Sequence, residues 1–78
     1  MSTRKITNIS LADYRKFLKA CGCNKTRTTG GHEFWSGKDL LREITVQSHI
    51  NPVPAFIVKQ GLRALGKTTK QMWEMIEG

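Results

Sequence analysis

The chain has 78 residues and a mass of 8.8 kDa, enough for one small domain. Thirteen Lys and Arg against six Asp and Glu give a formal charge of +7, which favours a polyanionic partner: RNA, DNA or an acidic protein. The longest apolar run, Ala55-Phe56-Ile57-Val58, is far shorter than the about 20 residues of a membrane-spanning helix. Nor does the polar, basic start Met1-Ser2-Thr3-Arg4-Lys5 resemble a signal peptide, so a cytoplasmic protein is expected.

Residues 1–9 read as a loose lead-in and 10–77 as the core of a single domain. Ser10 is placed to cap a first helix, with Asp13 in its first turn. Ile9 and Tyr14 occupy the two positions of a hydrophobic staple. Leu11, Tyr14, Phe17, Leu18 and Cys21 share one helix side, while Arg15, Lys16 and Lys19 share the other. Gly22 is a natural stop.

Residues 23–29 suit an exposed strand, because threonine favours extended backbone. Gly30-Gly31 is a turn, residues 32–35 a second strand, and Ser36-Gly37-Lys38-Asp39 a second turn. Ile44, Val46, Ser48 and Ile50 alternate with Thr45, Gln47 and His49, the period of a half-buried third strand. Asn51-Pro52 reads as the cap and first residue of a second helix, with Pro54 inside its first turn. Phe56, Ile57, Val58, Leu62 and Leu65 supply its buried side, and Lys59 and Arg63 its outer face. Gly61 in the middle is unfavourable by about 1 kcal/mol relative to alanine, which a close packing approach would explain. Gly66 ends this helix, and Thr68-Thr69-Lys70-Gln71 resembles a capping box opening a last one that docks through Met72, Met75 and Ile76. The expected architecture is α+β: α-β-β-β-α plus a short C-terminal helix, with a three-stranded antiparallel sheet and the helices on one face.

The six carboxylates, Asp13, Glu33, Asp39, Glu43, Glu74 and Glu77, are scattered, unlike the clustered acids of a metal-dependent nuclease. No Gly-Lys-Ser/Thr phosphate loop and no recognised nucleophile motif is present. Cys21 and Cys23 are two apart and read as reduced thiols. With His32 and His49 they include zinc-ligand types, but at a spacing that matches no common finger.

What remains is His32, after Gly30-Gly31 and five residues beyond Arg27. Imidazole can take a proton from an alcohol and return one. Glycine backbone N–H groups suit a phosphate, and Arg27 and Lys25 can neutralise charge on a phosphoryl transition state. RNA brings its own nucleophile, the 2′-hydroxyl, so one histidine with cationic support can cleave it without metal. The same residues serve equally as an RNA-binding module without catalysis, with His32 as a contact. A DNA-binding helix-turn-helix over residues 52–77 is disfavoured: Met72, Trp73, Met75 and Ile76 are poor base readers, and Glu74 and Glu77 repel phosphates.

Gly22-Cys23, Arg27-Thr28-Thr29-Gly30-Gly31-His32-Glu33-Phe34-Trp35, Ile44-Thr45-Val46 and Leu62-Arg63-Ala64-Leu65-Gly66 resemble the HicA toxins of bacterial toxin–antitoxin pairs, over residues 10–77. Many members carry serine where Gly31 stands and a proline where Gln47 or Ser48 stands. The resemblance implies a fold like a double-stranded-RNA-binding domain and a metal-independent endoribonuclease that cuts mRNA with one histidine, His32 by motif position. It also implies no cofactor and an inhibitory HicB-type antitoxin. His49 is expected to be an RNA contact or a structural residue, and Lys59 and Arg63 to extend the RNA surface of Arg27, Lys25, Gly30 and Gly31.

Overall fold

The computed structural model describes residues 9–38 and 40–78, and in it the chain runs α1 (Leu11–Ala20), β1 (Asn24–Thr29), β2 (His32–Ser36), β3 (Ile44–Gln47), α2 (Ala55–Leu65) and α3 (Thr69–Glu77). The sheet is antiparallel in the order β1-β2-β3, the α+β arrangement expected from the sequence. The expected lead-in before Ile9, and Asp39 of the second turn, lie outside the described residues.

Ser10 Oγ accepts the Asp13 N–H at 3.1 Å and so caps α1. Ile9 and Tyr14 are both fully buried. Ile9 therefore belongs to the core and not to the lead-in; its carbonyl also accepts the Val53 N–H at 2.9 Å. Past the helix, Gly22 donates to Lys19 O at 3.0 Å and Cys23 to Leu18 O at 2.9 Å, the paired bonds that satisfy terminal helix carbonyls. Cys23 is thereby committed to the end of α1, and β1 starts one residue later than expected.

Asn51 does not cap α2. Its Oδ1 accepts the Leu11 N–H at 3.0 Å, satisfying a free donor at the start of α1. The second helix starts instead at Ala55, after Pro54, whose carbonyl receives the N–H groups of Ile57 and Val58. Ile57, Val58, Gly61 and Leu62 face inward, and the helical period puts Phe56 on the opposite side, 58% exposed, contrary to its expected burial. The alternation read through Ile50 also outruns the strand. β3 ends at Gln47 because Ser48 turns back, its N–H and Oγ donating to the Gly31 carbonyl at 2.7 and 3.0 Å. Thr68 and Gln71 form the reciprocal capping box of α3, which buries Met72 and Ile76 and packs on α1.

Gly61 has its close approach. The Tyr14 hydroxyl donates to the Ile57 carbonyl at 3.3 Å, the acceptor four residues before Gly61, and a Cβ on Gly61 would overlap that hydroxyl. Gly61→Ala is therefore expected to lower stability by about 1–3 kcal/mol despite alanine's better helix propensity. Adding Tyr14→Phe, which removes the oxygen in the way, should recover part of the loss in a urea-denaturation double-mutant cycle.

Along β2 and β3, Glu33, Trp35, Ile44 and Val46 face the helices and are buried. Glu33, only 2% exposed, is held by Arg15 of α1 through Nε at 3.2 Å and through Nη2, and by the Trp35 Nε1 donor at 3.1 Å. Arg15, expected on the outer helix face, thus reaches inward. Burial alone would push the Glu33 carboxyl up, but the Arg15 and Trp35 hydrogen bonds, with the charges of Arg15 and Lys25, hold it below the usual carboxylate range. A lowered folded value means this stabilisation is present above the ordinary carboxylate pKa of about 4.3 and is lost as pH falls through the folded value. Glu33→Gln should accordingly flatten the acid-side fall of the urea midpoint. Arg15→Ala should lower stability near neutrality by about 1–2 kcal/mol, because it strands a buried carboxylate whose partner is itself partly solvated.

Candidate functional site

The alternation that buries Glu33 and Trp35 turns His32 and Phe34 to the sheet face that the helices leave open. His32 opens β2, pairs with Thr29 on one side and Gln47 on the other, and is exposed. Thr45 and Gln47 of β3 share this face, half-exposed.

A bulge brings Arg27 to the same face. The β1–β2 register shifts between Lys25, opposite Trp35, and Arg27, opposite Phe34. The extra residue is Thr26, and both it and Arg27 reach Glu43 in the segment leading to β3. Arg27 Nη1 donates to Glu43 Oε1 at 3.0 Å and to Oε2 at 3.2 Å. Thr26 Oγ1 lies 2.8 Å from Glu43 Oε2 and 3.0 Å from the Phe34 carbonyl, sharing its proton between them. The guanidinium carbon of Arg27 stands 4.2 Å from the centre of the Phe34 ring, within cation–π range. Phe34 is two residues from His32, about 6.6 Å along a strand. Arg27 and His32 therefore share one face, with the cation anchored by Glu43 and Phe34.

The other expected site residues divide. Lys25, paired with Trp35, belongs to the helix-facing side, where its charge acts on Glu33; it does not join His32 on the open face. Gly30 and Gly31 form the turn before His32. Gly31 is tied to the end of β3 by the two Ser48 bonds, and the His49 ring lies so close to its Cα that a Cβ there would overlap Nδ1 and Cε1. His49 thus buttresses the turn that presents His32. Lys59 and Arg63 are exposed on α2, which packs on β3. Arg63 lines an open groove of ≈ 570 Å³ with Arg42, Glu43, Thr45 and Gln60.

The four residues of zinc-ligand type, Cys21, Cys23, His32 and His49, do not converge. A Cβ on Gly37, past the end of β2, would stand 3.0 Å from Cys23 Sγ, whereas His32 begins β2 at its other end. Among the described residues, no three His, Cys, Asp or Glu side chains form a metal-binding group, and no helix is long and apolar enough to cross a membrane. Sequence reasoning missed Glu43 and Phe34. Nothing in local spacing marks them; only the bulge and strand register bring them to Arg27.

No protein-family model matches the chain, and no curated protein or solved structure matches it. The HicA resemblance therefore stands on the motif residues themselves.

The Arg27–Glu43 pair is largely solvated, with side chains 56% and 33% exposed, so it should contribute little to folding. Arg27→Ala is expected to cost less than about 1 kcal/mol in urea unfolding. That makes it a usable probe of ligand binding in a folded protein.

Proposed function

We propose that this chain is a metal-independent endoribonuclease that cleaves single-stranded mRNA through His32, the toxin of a bacterial toxin–antitoxin pair acting in the cytoplasm. The observation that supports it most is the exposed His32 on the open sheet face it shares with Arg27, within the Arg27-x-x-Gly30-x-His32 spacing of the HicA resemblance. In the reaction the RNA 2′-hydroxyl attacks the adjacent phosphorus and the bond to the 5′-oxygen breaks. A cyclic phosphate and a free 5′-hydroxyl result. His32 moves one of the two protons, taking that of the 2′-hydroxyl or supplying that of the leaving oxygen. Arg27 offsets charge on the phosphoryl oxygens once RNA draws it from Glu43. An acidic antitoxin covering His32 and pairing with Arg27, Lys59 and Arg63 would inhibit by occlusion, charge speeding its arrival and apolar contacts slowing its release.

A second reading has one observation in its favour. Arg27 is bonded to Glu43 and stacked on Phe34, the arrangement of a binding platform, so the same face would also suit RNA retention without cleavage. Turnover of end-labelled RNA separates the two. His32→Ala is expected to abolish cleavage while keeping the fold and most RNA affinity, and a chelator should leave the wild-type rate unchanged. A variant retaining more than about a tenth of the rate would remove the proton-transfer role. Loss of activity in chelator, restored by a divalent ion, would overturn the metal-free chemistry.

A further inference from the structure

The groove beside the open face is not needed to explain proton transfer at His32, yet its chemistry is that of a nucleic-acid contact. It has a volume of ≈ 570 Å³, within the range of about 300–1,000 Å³ common for small-molecule sites. It is lined by Ile44 and Thr45 of β3, by Gln60 and Arg63 of α2 and by Arg42 of the 41–43 segment. Neither Arg42 nor Arg63 has an ion-pair partner among the described residues. The one carboxylate among its described lining residues, Glu43, is already held by Arg27 and Thr26. Leu41, fully exposed, adds an apolar lip.

Glu43 also joins this groove to the histidine. It lines the groove and bonds Arg27; Arg27 lies over Phe34; Phe34 follows His32 by two residues on the same face. We propose that the groove is a second nucleotide site, in which Arg42 and Arg63 hold the backbone phosphate of a single-stranded RNA that continues from His32 across Phe34. This rests on the ribonuclease reading above and extends it from one scissile bond to a track. Two guanidiniums lining one groove, neither ion-paired among the described residues, attract a phosphate. Gln60 and Thr45 offer hydrogen-bond partners to sugar and base, and Leu41 offers apolar contact. Arg27 on Phe34 provides a flat cationic surface between the two positions, suited to base stacking. Sequence spacing hides the site, because Arg42 and Arg63 are far apart in the chain and meet only where α2 packs on β3.

The test uses His32→Ala protein, which should bind RNA without cutting it, and a labelled single-stranded RNA of about 12 nucleotides. Binding is followed by fluorescence anisotropy across a salt series. Arg42→Ala and Arg63→Ala are each expected to weaken binding about tenfold and to reduce the slope of log affinity against log salt by about 0.7. Lys16→Ala, on the exposed side of α1, is expected to change neither, and circular dichroism should show all variants folded. If the RNA binds but Arg42→Ala and Arg63→Ala behave like Lys16→Ala, the groove site is wrong while the ribonuclease reading stands. If the RNA does not bind, or a polyglutamate peptide binds through these arginines in its place, the RNA class is wrong and both proposals fall.

Discussion

A carboxylate removed from water must be matched by hydrogen bonds and charge, and Glu33 lies on the face of β2 that the helices cover. Arg15 of α1 and the Trp35 indole meet it there. Because strand side chains alternate, this network fixes the orientation of its neighbours as well. With Glu33 and Trp35 inward, His32 and Phe34 must point outward. A slip of one residue would bury the imidazole and expel the carboxylate from its partners. The ion pair thus acts as a register lock, and the open face of the sheet follows from what its other face has to satisfy.

Much of the fold was legible because the signals are local. Ser10 before an amphipathic run and Thr68 three residues before Gln71 act through bonds made within one helical turn. Where a residue's partner is distant, local grammar misled. Asn51 before Pro52 has the form of a helix start, but its side chain is claimed by Leu11, 40 residues away. The alternation through Ile50 has the form of a longer strand, but Ser48 is claimed by Gly31. Phe56 has the composition of a core residue, but the stripe of Ile57, Val58, Gly61 and Leu62 that packs inward leaves it on the opposite side of the helix. For the site the division is similar. His32 and its glycine turn could be read from order alone. The partners of Arg27 depend on a bulge and on strand pairing that no short window contains.

The electrostatics of the open face are more structured than a net charge of +7 suggests. Lys25 and Arg27 are two residues apart, yet the bulge sends one toward Glu33 and the other toward Glu43. Glu43 thereby orients Arg27 without burying it, while Lys25 acts on Glu33 through its charge alone. A guanidinium held in place by a solvated carboxylate loses less side-chain entropy when it later meets an anion than a free arginine would. Binding at such a site depends on exchange between two anions, one supplied by the protein and one by the ligand.

The contact between His49 and Gly31 couples the turn before His32 to the chain just past β3. The imidazole fills the space in which any side chain at position 31 would begin. A residue with a Cβ at position 31 requires the ring at position 49 to swing away, which an exposed side chain can do by rotating about its χ angles. The conformation of an exposed ring 18 positions away thus decides how much room the turn before His32 has.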